Sequence, residues 1–222
     1  MWDDIYHKIA DFQDEKSFAK KIRLKRMAIF NNLTKDLPKP IKILDVGGTE
    51  LFHEIMGLAG NKDYMITILN LSESKTRHKN IKSVKGNACQ MKEFDDYHFD
   101  VVFSNSVIEH VGNFEDQKMM ADEMQRLAKK FFLQTPNFYS PVEPHFFIPL
   151  FQFLPIQIQI FLVQNFNCGY LKKTPNKKEA KKVVRSIRLL KESEIKKLFP
   201  ESIIKKERFL GFTLSFIVYC GF

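Results

Sequence analysis

The sequence predicts an α/β fold: a mostly parallel sheet with helices on both faces. Three observations carry this. Short apolar runs alternate with helix-period segments between Ile41 and Gln134. A glycine pair joins the first of those runs to the first of those helices. The composition is globular, with 44% hydrophobic and 27% charged residues. A chain of 222 residues suits one domain, since single cores serve chains up to roughly 250–300 residues.

The elements follow in order. Residues 3–34 read as helix, with Ile5, Ile9, Phe12, Phe18 and Ile22 recurring at three- and four-residue steps. The Pro-rich connection from Lys35 to Pro40 ends it. Ile41 to Val46 is a strand, Gly47-Gly48-Thr49 a tight turn, and Leu51 to Leu58 a helix closed by Gly60-Asn61. Met65 to Leu69 is a strand, Ser72 to Lys79 a short helix or turn, and Ile81 to Lys85 a weak strand. Phe99 to Ser104 is a strand, Glu115 to Ala128 a helix and Lys130 to Gln134 a strand. Leu189 to Phe199 reads as helix. Ser202 to Glu207 and Phe212 to Tyr219 are strands so close in sequence that they pair antiparallel.

Within the single domain we expect four parts. Residues 1–38 form an N-terminal helical segment, 41–135 a ligand-binding core, 136–190 an insertion, and 191–222 a helix with a strand pair. Phe146 to Leu171 holds no charged residue, yet Pro149, Pro155 and four glutamines argue against a membrane span. That stretch reads as a lid or a buried cover. The next segment is basic: residues 171–206 hold thirteen Lys/Arg against four Glu. It thus carries the whole formal charge of +9. A solvated face is the simple reading, and a patch for an anionic partner, including a membrane surface, the sharper one. No aromatic stacking pattern interleaves the lysines, so nucleic acid is not the expected partner.

The N-terminus lacks the pattern of a secretory signal. The three scattered cysteines, Cys89, Cys168 and Cys220, fit a reducing compartment, and a cytoplasmic protein is expected. No Cys/His cluster suggests a metal site.

Two segments carry candidate chemistry. A glycine turn between strand and helix lets a ligand approach the backbone at the carboxyl end of the sheet. The run Phe99-Asp100-Val101-Val102-Phe103-Ser104-Asn105-Ser106-Val107-Ile108-Glu109-His110-Val111 ends an apolar strand in polar residues at that same edge. His110 is a candidate general base with Glu109 beside it, and His145, in Val142-Glu143-Pro144-His145, is the alternative.

The order ILDVGG, ITILNLS, KGNACQM and FDVVFSNSVIEHV resembles the class I S-adenosylmethionine-dependent methyltransferases of the small-molecule, type 11-like kind. TPNFYSPVEPHF and RLLKESEIKKLFP are similar to bacterial members. The resemblance implies a Rossmann-like sheet of seven strands with an antiparallel last strand, and S-adenosylmethionine as cofactor. It implies that Asp45, Gly47, Gly48 and Thr49 meet the methionine moiety. Asn70 and Leu71 would face the ribose, Asn87 and Ala88 the adenine, and Ser104 and Asn105 the sulfonium. The acceptor it implies is a small molecule, a sugar or a lipid-linked glycan.

Three positions depart from the family pattern. Thr49 stands where a second glycine is usual, and Asn70 and Asn87 stand where acids are usual. They keep a non-catalytic cofactor-binding member open as an alternative, and the basic segment keeps open an RNA or protein methyltransferase.

Overall fold

The computed structural model describes residues 17–169 and 171–222. Seven strands form one sheet in the order β3-β2-β1-β4-β5-β7-β6. They are β1 (Ile41–Val46), β2 (Tyr64–Asn70), β3 (Ile81–Lys85), β4 (Val101–Asn105), β5 (Phe131–Pro136), β6 (Ile203–Phe209) and β7 (Phe212–Cys220). The pairs from β3 across to β5 are parallel, and β7 runs antiparallel to both β5 and β6. The expected antiparallel last strand is therefore present.

Strand periodicity sorts the core into two layers. On one face, α1 (Phe18–Thr34) and α2 (Glu50–Ile55) cover Ile41, Ile43, Ile66, Phe103 and Phe132. There Phe30 of α1 meets Phe103 and Phe132 edge-on at 5.2 and 5.5 Å. On the other face, α3 (Phe114–Leu127) and α6 (Glu192–Leu198) cover Leu44, Val46, Val102 and Leu133. A third cluster lies within the insertion, where α4 (Ile156–Asn165) and α5 (Lys177–Arg185) enclose Phe146, Phe151, Val163, Ala180 and Val184.

Element edges differ from the sequence reading for local reasons. The expected helical positions Ile5, Ile9 and Phe12 lie outside the described residues. α2 stops at Ile55 because Gly57 takes φ +73° and turns the chain. Ser72 to Lys79 forms no helix. Side chains serve its backbone instead: Ser83 Oγ accepts from the Ser74 amide, and Glu50 Oε1 from the amides of Arg77 and His78. α6 starts only at Glu192, since Leu190 is bridged to Asn137.

Candidate functional site

The carboxyl ends of β1, β2 and β4 gather the first set of candidate residues. Asp45 alternates onto the α1/α2 face, where Nε2 of His53 lies 2.7 Å from its Oδ2. Both side chains are 1% exposed. Asp45 Oδ1 and His53 Nδ1 are buried without partners. The backbone of Gly48 lies directly against this carboxylate: a Cβ there would sit 1.6 Å from Asp45 Oδ2. Gly47 takes φ +77°, and a Cβ on it would meet Val107 at 2.4 Å. Both glycines are therefore required sterically. Asp45, expected to touch the methionine moiety, lies sealed beneath the turn. His53 was not singled out from sequence, although it is the buried residue of the short helix that follows the turn.

Two departures from the family pattern acquire local jobs. Thr49 is the N-cap of α2, and its Oγ accepts from the Phe52 amide at 3.2 Å. Asn70 donates through Nδ2 to the Gly48 carbonyl at 2.9 Å, tying the end of β2 to the glycine turn. An ionised acid could not donate that bond. Asn87 accepts from the Cys89 amide at 3.0 Å in a local turn, beside the buried Ala88. Leu71, next to Asn70, is 76% exposed.

A second polar row begins where β4 ends. Ser104 is fully buried and donates to the Val46 carbonyl at 3.2 Å. Asn105 accepts from Arg26 of α1 at 3.2 Å, and Arg26 also grips Glu207 of β6 through Nε and Nη2 at 2.8 Å. Glu207 in turn accepts from Ser215 of β7. Arg26 was not anticipated, because its partners lie 79 and 181 residues away.

The row continues into the insertion. Glu109 is fully buried; its Oε2 accepts from Thr135 of β5 at 3.1 Å, and its Oε1 has no hydrogen bond. The Nε2 of His145 lies 3.9 Å from that Oε1. Glu143 is buried as well. Its Oε1 is 2.7 Å from His145 Nδ1, and its Oε2 accepts from the amides of His145 and Phe146. The ring of His110 meets that of His145 edge-on at 4.8 Å. Sequence reasoning set Glu109 beside His110, whereas the ion-pair geometry joins Glu109 to His145. The donor atoms of Glu109, His110 and His145 lie within 4.8 Å of one another, close enough to share one ion or one proton network.

Burial pushes the Glu109 carboxyl up to about 7, with His145 and Thr135 opposing the rise. The packed protein around His110, and then the His145 imidazole, bring His110 down to about 4 although its outer edge reaches solvent. Partial burial lowers His145, but its bond to the Glu143 carboxylate and the two nearby acids win, leaving it above the ordinary imidazole value. Beside this cluster, a cavity of about 300 Å³ is lined by Glu143, Phe138, Phe146, Phe151, Gln152 and Arg188. Gln152 donates to two backbone carbonyls, while its Oε1 is buried without a partner.

Residues 44–131 match the family of methyltransferase domains. That segment is a methyltransferase domain. Solved structures agree in fold. The 1,6-didemethyltoxoflavin N1-methyltransferase of Burkholderia thailandensis aligns with a TM-score of 0.55 at 12% identity, over 88% of this chain and 76% of that one. Magnesium protoporphyrin IX methyltransferase of Synechocystis PCC 6803 gives 0.53 at 14%, over 90% and 82%. A SAM-dependent methyltransferase of Aquifex aeolicus gives 0.52 at 13%, over 89% of both chains. No curated protein sequence matches significantly.

The residues at this edge fit S-adenosylmethionine. The turn is backbone-lined because Gly47 and Gly48 exclude side chains. Exposed Leu71 offers apolar surface at the end of β2, and Asn70 and Asn87 offer amides. Among the described residues no helix is long and apolar enough to cross a membrane.

Proposed function

We propose that this methyltransferase methylates a hydroxyl group on a small-molecule, sugar or lipid-linked acceptor held in the cavity beside Glu143. The observation that carries the reading is the row Glu143–His145–Glu109 at the carboxyl edge of β4 and β5. When bound, S-adenosylmethionine supplies a methyl group already activated on sulfur, so positioning of the acceptor contributes most of the acceleration. The turn at Gly47-Gly48 and the ends of β2 and β4, with Asn70, Leu71, Asn87, Ala88, Ser104 and Asn105, serve the cofactor.

The base in this reading is His145 rather than His110. The Glu143 carboxylate selects the tautomer with hydrogen on Nδ1, which leaves the Nε2 lone pair for the acceptor proton. The Glu109 oxygen 3.9 Å away stabilises the imidazolium that forms. Among the described residues no carboxylate is hydrogen-bonded to the His110 ring, and at about 4 it is a weaker proton acceptor. It packs the His145 ring from the side. Gln152 Oε1 supplies an unused acceptor for a second hydroxyl of the substrate. Polyhydroxylated acceptors such as glycans therefore suit the site. The free cysteines support a cytoplasmic setting.

The test uses methyl-labelled S-adenosylmethionine with panels of glycan and lipid acceptors. Label should enter an ether oxygen, and His145→Ala should cut turnover on the order of 100-fold with cofactor affinity unchanged. Glu143→Gln should shift the acidic limb of the activity profile to lower pH, because the carboxylate that raises His145 is gone. Full activity in His145→Ala, or a limb that stays in place, sinks the assignment of the base.

A further inference from the structure

We propose that the α4–α5 pair is a docking surface for anionic membranes, independent of which hydroxyl the enzyme methylates. The first ground is an apolar face on the wrong side of a helix. In α4, Ile160 and Val163 face the insertion core, as helical spacing requires. Ile158 and Phe161 face the opposite way, yet they too are large and apolar. Together with Leu150, Phe153 and Phe166 they leave five such residues within seventeen positions, each between 46% and 57% exposed. A helix apolar on both sides is normally buried. Single exposed apolar residues are ordinary, but five in one short segment mark a contact surface.

The second ground is charge. α5 packs on α4, and the Thr174 amide donates to the Val163 carbonyl at 2.8 Å, joining the start of the basic segment to the apolar helix. Ala180 and Val184 face inward. Lys178, Lys181, Lys182 and Arg185 share the opposite face and line one open groove. Among the described residues none of these four is in an ion pair, and Glu179 is the only acid on the helix. Exposed apolar residues on one helix and unneutralised cations on the helix packed against it complement an acyl boundary beneath anionic headgroups. RNA would use the cations but leave Ile158 and Phe161 uncovered. A second copy of the chain would bring like charges together.

The experiment is sedimentation of the full chain with phosphatidylcholine vesicles, with and without phosphatidylglycerol, at low and high salt. Anionic vesicles should bind at least about tenfold more tightly than neutral ones, and salt should weaken the binding. Phe161→Ser and the fourfold change of Lys178, Lys181, Lys182 and Arg185 to Glu should each cut it about tenfold. Both alter exposed side chains, and cofactor titration of the same variants confirms that they are folded. Equal binding to neutral and anionic vesicles, or no binding by the folded wild-type chain, overturns the proposal. So does self-association that Phe161→Ser abolishes, or binding confined to single-stranded RNA.

Discussion

Along β1 to β4 the cofactor candidates sit at a strand end or within a few positions of one, and their partners come from the neighbouring strand or turn, except for Asn105, which Arg26 holds. Asn70 reaches Gly48, Ser104 reaches Val46, and His53 reaches back to Asp45. In the insertion the polar groups meet across distant segments. Glu109 follows β4, Thr135 lies in the last two residues of β5, and Glu143 and His145 lie in the loop beyond. The sheet places the first set by register alone, since one residue of slip would turn Asp45 to the other face. The second set depends on how the loop packs on two strand ends. Strict local geometry suits a cofactor of fixed shape, and the loop site can change acceptor without disturbing the sheet.

Gly48→Ala should show the largest separation between the two regions. Its Cβ would overlap Asp45 Oδ2 at 1.6 Å, and neither the backbone turn nor the buried His53 pair can retreat cheaply. We expect S-adenosylhomocysteine affinity to fall by roughly 100-fold and stability to drop by about 1–3 kcal/mol. Vesicle binding through α4 and α5 should be unaffected. Calorimetric titration, urea unfolding and sedimentation check the three parts. Retained cofactor affinity would break the distinction between a rigid cofactor edge and an adaptable insertion.

That distinction also explains what the sequence made legible. The strand runs, the Gly-Gly turn and the polar end of FDVVFSNSVIEHV were readable because they depend on period and on neighbours within about ten residues. The roles of Thr49 and Asn70 were hidden, since family comparison shows only a missing glycine and a missing acid. The structure shows instead a helix cap and a donor to Gly48. His145 was named but ranked behind His110, because nothing in VEPH reveals that Glu143 bonds the ring while Glu109 faces its other nitrogen. Arg26 was missed outright, as its partners depend on the final position of β6.

Glu109 sits at the seam between the regions and gives a smaller effect, confined to one pH range. Burial raises its carboxyl from 4.5 to about 7, so the folded chain binds that proton more tightly than the unfolded one. Its stabilising contribution is complete below about pH 4.5 and is lost as pH rises through about 7. Glutamine stays neutral throughout. Glu109→Gln should match the wild type near pH 4.5 and exceed it by on the order of 2 kcal/mol near pH 8.5. Urea unfolding at the two pH values measures this. A gain at both would mean that the side chain is strained in shape rather than in charge.

The smallest expected effect sharpens the cofactor side. Asn70→Asp restores the acid usual at the family's ribose position, yet it removes the donor to the Gly48 carbonyl. It also sets a carboxylate against that carbonyl. The chain without cofactor should lose about 1 kcal/mol of stability, the worth of one ordinary hydrogen bond. A new charge-assisted bond to a ribose hydroxyl should offset part of that loss in the bound state. Thermal unfolding with and without S-adenosylhomocysteine separates the two. If the ligand-free variant is as stable as the wild type, the tie from Asn70 to the turn carries little energy. The asparagine would then act on the cofactor directly, and the turn would owe its shape to Gly47, Gly48 and the buried Asp45–His53 pair alone.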